Sequence, residues 1–533
     1  MRKKFKGKSL HTVKNSGFSE GGANRSSGLL KAYNPLKSSA LADIDSNLEI
    51  LRGRSSDLSI NTPIGSAAIG TSTQYTIGTG LRCYPRVKAE MLGMSAEEAD
   101  AWNKHVAREF DLWASSKLAD IRERNNFYDL QEILYRSYLV DGDSFAFIRR
   151  GYSTEMPYTL RIQALEGNRI NNPYCGSPIG AYGVEVPAPD GINRIVNGIE
   201  LGSDGEAVAY WVSSRVPNDM TTVNGMLTWT RIKVKGELLG LPNALHICHD
   251  ERPEQYRGVP YLAPVIESMK QISRYSTAEL TSAIMKTFFT LFLTQQNSSA
   301  SVDQILQSTY SDEDIDRNTP CCDPSDFAVG HGTINALPMG VDVKSIDSSK
   351  QSSFDSFTSG IIKQIAAAIG QPYEVLMKCF SSSYSASRAA LLQAWDQYKL
   401  RREWFARDFC QPVYEMWLME AVATGRVEAP LFWDDPAMRY AYFSAEWYGP
   451  AMSILDPVKE TNASLMKIAN GLSTYEKEAA QYGGDFKENI EQLARERRLM
   501  ADLGIIPDNK YSTDMGGEKE NEQKVLENQE QRG

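Results

Sequence analysis

Several groups of side chains in the 533-residue sequence stand at spacings that chemistry uses. His246-Ile-Cys248-His249 puts His246 and Cys248 on one face of an extended segment, and both are zinc-ligand types. No second pair follows at zinc-like spacing, so a part-buried strand end is the better account. Asp312-x-Asp314-x-Asp316 has the opening of a calcium-binding loop, with Asp323 at the twelfth position, but Arg317 stands where the turn needs glycine. Asp141-Gly142-Asp143 offers two carboxylates for acid–base work. Its place between Tyr138-Leu-Val and Phe145-Ala-Phe reads instead as a turn into a strand. Gly7-Lys8-Ser9 lacks the earlier glycine of a phosphate-binding loop, since Arg2 stands there, and Gly78-Thr79-Gly80 runs into Leu-Arg-Cys instead of a dinucleotide fingerprint. The five histidines, His11, His105, His246, His249 and His331, include none beside a serine or cysteine in a nucleophile elbow. No catalytic, cofactor or metal set emerges, and the expectation is a protein that is not an enzyme.

The elements that carry these residues alternate in character. Ser95-x-x-Glu98 is a capping box opening a helix through Trp102, Val106, Phe110 and Trp113, and Phe127 to Tyr138 is a second helix. Strand-like segments follow at Phe145 to Arg149, Thr159 to Ala164, Val208 to Ser213, Thr228 to Val234 and Ala244 to Cys248. Asp141-Gly142, Asp190-Gly191 and Asp204-Gly205 supply turns between them. From Pro260, apolar residues at helical spacing (Leu262, Val265, Ile266, Met269, Ile272) predict one helix of roughly 30 residues, about 45 Å long. Phe354 to Ile369 and Ser385 to about Thr424 predict two more helices, and Pro457 to Leu503 a final helical block with units starting near Ser473 and Asp485.

Composition bounds the class. Hydrophobic residues make up 42% and charged residues 23%, which is globular, and the length implies roughly three or four domains. Lys and Arg number 57 against 67 Asp and Glu, a net charge of -10, the reverse of a strong nucleic-acid binder. Seven scattered cysteines without a CxxC fit reduced thiols. The basic N-terminal residues lead into Asn, Ser and Gly, unlike a secretory signal, and the uncharged stretch Ile64 to Leu81 is too rich in Gly and Thr for a membrane span.

Read as strings, five stretches resemble the lambda-type family of tailed-bacteriophage portal (head-tail connector) proteins. They are Leu51-Arg-Gly-Arg54-Ser-Ser-Asp57-Leu58 running on to Thr76-Ile-Gly78-Thr79-Gly80-Leu81; Arg136-Ser-Tyr-Leu139-Val-Asp141-Gly142-Asp143; Arg252-Pro253-Glu-Gln255-Tyr-Arg257-Gly258-Val259-Pro260 leading to Leu262-Ala263-Pro264; Tyr384-Ser385-Ala386-Ser387-Arg388-Ala389-Ala390; and Trp447-Tyr-Gly449-Pro450 followed by Asp456-Pro457-Val-Lys459-Glu460. They occur in the family's order over roughly residues 45 to 505. Two departures are Ile60-Asn61, where paired asparagines are usual, and Glu166-Gly-Asn-Arg169 in the β region.

The resemblance implies an α+β, mainly helical portal fold of wing, stem, clip and crown, with a long stem helix and a β-rich clip, assembled as a ring of twelve copies. On it the chain divides into a disordered basic arm (1–30), wing (31–189), β-rich clip (190–255), stem helix (256–296), polar insert and channel loop (297–353, the loop being Gly340 to Ser353), wing and channel helices (354–455), helical crown (456–505) and a disordered acidic tail (506–533). The ring would sit at one capsid vertex of the virion, after assembly in the host bacterial cytoplasm, and pass double-stranded DNA during packaging and ejection without reading its sequence. Its partners would be further copies of itself, the terminase large subunit, the major capsid protein and scaffold, and the head-tail connector proteins, with no membrane and no cofactor. Twelve copies of -10 give a ring near about -120, which favours sliding of DNA over tight binding.

Residue expectations follow from that placement. Lys270 and Arg274, four apart on the stem helix, either touch passing phosphates or pair with a neighbouring subunit; Lys344 and Lys350 in the loop carry the same two readings. Leu262, Val265, Ile266, Met269 and Ile272 are expected at the subunit interface. Arg215 and Arg231 are expected on the clip surface that docks terminase. The rival reading is another non-catalytic virion structural or adaptor protein without a DNA conduit; an enzyme such as a nuclease or protease is the third.

Overall fold

The computed structural model describes residues 32–173, 185–217, 227–237, 240–287, 291–293, 334–336, 354–380, 383–452, 457–482, 484 and 486–504. The basic arm, the acidic tail, Asp312 to Asp323, and the channel loop with Lys344 and Lys350 lie outside the described residues.

After a π-helical turn at Leu41–Asp45 come α1 (Leu48–Asn61) and α2 (Pro63–Thr76), broken at Thr62, which is extended, with Pro63 in the first turn of the second helix where its missing N–H costs nothing. Strand β1 (Arg82–Pro85) and the short α3 (Ala89–Leu92) lead to α4 (Ala96–Ala114). Ser95 and Glu98 form the reciprocal capping box expected there. α5 (Phe127–Asp141) has a second such box, between Asn126 and Asp129, and runs three residues beyond the helix read from periodicity.

Two sheets follow. β2 (Asp143–Arg150) and β3 (Leu160–Glu166) form an antiparallel hairpin. β4 (Glu185–Pro187), β5 (Arg194–Val196), β6 (Ile199–Leu201), β7 (Ala207–Ser213) and β8 (Trp229–Lys233) make a five-stranded antiparallel meander. Gly191 and Gly205, both with positive φ, serve the turns before β5 and before β7, as read. β9 (Ala244–Cys248) leaves that sheet and pairs with β2, giving the order β3-β2-β9. The segment 190–255 therefore spans parts of two sheets, and they share a core: Phe145 and Phe147 of β2 pack with Val196, Leu201, Tyr210 and Val212 of the meander.

Beyond a 3-10 turn at Ala263–Val265 lies α6 (Ile266–Thr287), 22 residues and so about 33 Å, shorter than the roughly 30-residue helix expected. β10 (Leu291–Leu293) pairs in parallel with β11 (Ile334–Ala336). α7 (Phe354–Ala368) and α8 (Tyr373–Met377) precede α9 (Tyr384–Phe405) and α10 (Gln411–Ala423). The last two were expected as one helix. They are consecutive in sequence but joined by a π-helical turn, Ala406–Cys410, next to Pro412, whose ring nitrogen cannot donate into a regular ladder. α11 (Pro436–Tyr442) and β12 (Ala445–Tyr448), which pairs antiparallel with β1, close the body. A C-terminal block of α12 (Pro457–Ala469), α13 (Tyr475–Gln481) and α14 (Phe486–Asp502) follows.

The main core gathers Phe110 and Trp113 of α4, Phe127 and Tyr135 of α5, Phe405 and Phe409, and Tyr414 and Trp417 of α10. Phe110 meets Trp417 edge-to-face at 5.1 Å, and the buried Trp113 indole donates to the Leu160 carbonyl at 3.0 Å. No described helix is long and apolar enough to cross a membrane.

Candidate functional site

Asp143 is the point where the fold's separate parts meet. α5 ends on Gly142, whose φ of +91° reverses the chain into β2, so the carboxylate of Asp143 enters fully buried. Burial forces such a charge to find partners. Arg52 of α1 donates to Oδ1 at 2.6 Å, Arg257 donates from Nε to Oδ2 at 2.6 Å and from Nη2 to Oδ1 at 3.1 Å, and the Gly258 amide donates to Oδ2 at 3.3 Å. His246 of β9 lies 3.2 Å from Oδ2 and stacks on Phe145 with ring centres 4.3 Å apart. The arginines also seal backbone ends: Arg52 donates to the Asp141 carbonyl, and Arg257 to those of Gly167 and Ile170.

The electrostatics follow from two guanidinium groups and one carboxylate in a dry place. Burial raises the Asp143 carboxyl, but Arg257 and Arg52 outweigh it and hold it well below the usual carboxylate range. Burial pulls Arg52 down to about 10 against the opposing pull of Asp143, which still leaves it charged at neutral pH. Asp141 has no such clamp on its carboxyl, and burial pushes it up to about 7 although Arg52 opposes the shift. Every lone pair of Asp143 faces a donor. The arrangement is suited to locking elements together.

A second junction forms around Arg402 of α9. Its guanidinium donates to the Tyr75, Thr76 and Pro450 carbonyls at 3.0, 3.1 and 2.9 Å. Gly449 lies so close to this guanidinium and to Leu81 that a Cβ there would clash with both, and a Cβ on Gly78 would strike Pro450. One turn from the start of α9, Arg388 pairs with Glu460 of α12. Beside this junction a cleft of about 950 Å³ opens between α9, β12 and the C-terminal block, walled by Trp395, Trp447, Pro450, Glu460 and Lys467.

The five sequence stretches thus collapse onto two junctions, Arg52, Asp143 and Arg257 at one, and Thr76 to Leu81, Arg388, Gly449-Pro450 and Glu460 at the other. The sequence pattern of the family described as "Phage portal protein, lambda family" matches residues 26–402. The chain belongs to that family. It is 24% identical to portal protein B of Escherichia phage lambda over 91% of its own length and 90% of that relative's, and 24% identical to the portal protein of Escherichia phage N15 over 91% of each. Among solved structures, the neck of a native gene transfer agent particle is similar at a TM-score of 0.38 and 15% identity over 80% of this chain and 92% of that one. The virion of such a particle is similar at 0.37 and 14%, over 84% and 94%. Portal proteins are structural components of the phage virion and conduits for its DNA.

Within this portal chain the residues singled out from sequence have definite places. Leu262, Val265, Met269 and Ile272 are buried in the chain's own core, and Ile266 packs partly buried against it. That corrects the expectation that the stripe meets a neighbouring subunit: α6 lies on α1 and α7, which cover the apolar face inside one chain. Lys270 is exposed and pairs at 3.3 Å with Asp57 of α1, so its partner is within the same chain. Arg274 is exposed and has no ion pair among the described residues. Arg231 is exposed and makes a double contact at 2.7 Å with Glu200, a buried carboxylate also bonded by Asn193 and Trp211. Arg215 is half-buried at the end of β7, with the Ser213 hydroxyl donating to its carbonyl.

Sequence reasoning missed Asp143, Arg52, Arg257, Arg402 and Glu200 as organising charges. It also missed Glu420 of α10, whose carboxylate accepts from the Thr159 and Leu160 amides and from Arg150, tying the β2–β3 hairpin to the helical body. The signal available was the single acid Asp143 embedded in an apolar stretch, since a charge there requires a partner of opposite sign elsewhere in the chain.

Proposed function

We propose that this chain assembles as a ring of twelve identical copies into the portal at one vertex of the capsid, and that double-stranded DNA passes through its centre during packaging and ejection. The observation that carries the reading is the family match over residues 26–402. The buried Asp143 clamp supports it physically, because a subunit under the load of moving DNA needs its helical and β parts locked together.

In this reading α6 belongs to the stem, and Arg274, with Lys344 and Lys350, faces the channel. The β4–β8 meander belongs to the clip that docks the terminase large subunit and later the head-tail connector proteins, with Arg215 near that surface. The α12–α14 block is the crown, and the rest of the body forms the wing against the major capsid protein and scaffold. Negative-stain microscopy of the purified chain tests the assembly. A ring with a central hole of DNA width supports it; a compact monomer, or a ring closed at its centre, sinks it.

A further inference from the structure

The C-terminal block is attached to the body by charge. α14 lies along α4 through two ion pairs, Lys104 with Glu491 at 2.6 Å and Asp100 with Lys487. Asp100 and Lys104 are one helical turn apart, as are Lys487 and Glu491, so each helix offers one charge of each sign in complementary order. A slip of one turn would set Lys104 against Lys487. The register is therefore written in the charges. α13 adds Arg86 with Glu476 at 2.6 Å, and α12 adds Arg388 with Glu460.

Apolar packing contributes little to this seat. Among the described residues of the block only Glu478 is buried, and it accepts from Ser464 inside the block itself. Val458, Met466, Leu472, Leu499 and Leu503 stay exposed. Beneath the block the 950 Å³ cleft reaches from Trp395 and Trp447 to Ser464, Lys467 and Tyr482, so the block bridges open space rather than resting on a core.

We propose that residues 457–504 form an electrostatically latched arm, which the charge pairs on α4, Arg86 and Arg388 hold in register and which swings off the body as those pairs are screened. Exposed pairs of this kind each shift an equilibrium only about 1.4- to 5-fold. At about 1 M salt the screening length falls to about 3 Å, so all of them weaken together, whereas apolar contacts would not. The same chemistry gives a local trigger, since a polyanion brought near the latch competes for Lys104, Lys487, Arg86 and Arg388.

The test uses the full chain carrying a dye pair on noncanonical residues at the exposed positions Tyr152 and Leu472, diluted into excess unlabelled chain so that transfer reports one molecule. Transfer is expected to change as salt rises from about 0.05 to 1 M, with helical circular dichroism constant. Lys487→Asp should move the transition to lower salt by shifting the open-to-closed ratio about two- to fivefold, and Asp100→Lys with Lys487→Asp should restore it. Transfer unchanged by salt and by Lys487→Asp would overturn the latch. So would failure of the charge swap to restore, or a change in transfer that only accompanies loss of helix.

Discussion

Gly142 and Gly258 stand back to back, each so near the other's carbonyl group that a Cβ on either would fall on the opposing backbone. This contact brings the end of α5 against the segment that carries Arg257, and it is why the Arg257 guanidinium reaches Asp143 with both arms. Gly142 is doubly required, because its φ of +91° also disfavours any side chain. Gly258→Ala is expected to separate the two segments and destabilise the chain by more than the about 1 kcal/mol typical of a point substitution, seen as a lower denaturation midpoint.

Removing the carboxylate at the clamp should cost more still. Asp143→Ala leaves Arg52 and Arg257 buried without their shared counter-charge, for which about 3–5 kcal/mol is the usual scale. Arg52→Met in the same chain takes away one of the two orphaned charges, so the double variant should recover part of the loss. Equal midpoints for the single and double variants would mean that the pairs do not act as one unit.

The clamp and its neighbour respond to pH in opposite senses. Asp143 ionises well below its ordinary value in the folded chain, so its contribution is present above pH 3.8 and is lost only in stronger acid. Asp141, raised to about 7, is the reverse case: the folded state holds its proton longer than the unfolded state, and stability falls as pH rises from about 4 to about 7. Asp141→Asn removes that loss. The variant should gain on the parent as pH rises through this window, by at most about 1.4 kcal/mol per pH unit, and the gain should level off above pH 7. Chemical denaturation at pH 5 and pH 8 checks both the sign and the plateau.

Met269 gives a clean separation of core from interface. It is 2% exposed within a single chain, so Met269→Ala should cost about 2–5 kcal/mol of folding stability at any protein concentration. A stability loss that vanished at high concentration would return this residue to a subunit contact.

How the sequence led to these places differs by element. The capping boxes at Ser95 and Asn126 are local, made by residues three apart, and such boundaries can be read from a short window. The stripe from Leu262 to Ile272 was equally visible as a stripe. What it faces was not, because periodicity fixes which side of a helix is apolar and says nothing about whether α1 and α7 or another subunit covers it. The Arg231–Glu200 and Lys270–Asp57 pairs fail for the same reason, joining positions that only the folded chain brings together. The Asp143 clamp lay in plain sight as three strings, yet linking residues 52, 143 and 257 required the strand pairing of β2 with β9 and the glycine contact above.

The two cations on α6 can now be told apart by experiment. Lys270 is engaged with Asp57 in an exposed, salt-screened pair, while Arg274 has no such tie among the described residues. If this face lines the channel, Arg274→Glu changes the charge met by passing phosphates without breaking an ion pair among the described residues. Packaged DNA should then be retained less well at low salt, and the defect should shrink as salt rises, since each contact with phosphate is screened. Lys270→Glu is expected to do something else. It sets two acids side by side, and Asp57→Lys in the same chain should undo the damage by restoring an opposite-sign pair. Measuring the length of DNA held by particles built from each variant decides the matter: normal retention in Arg274→Glu at low salt removes α6 from the channel wall, and a Lys270→Glu defect that Asp57→Lys cannot repair moves Lys270 to the DNA.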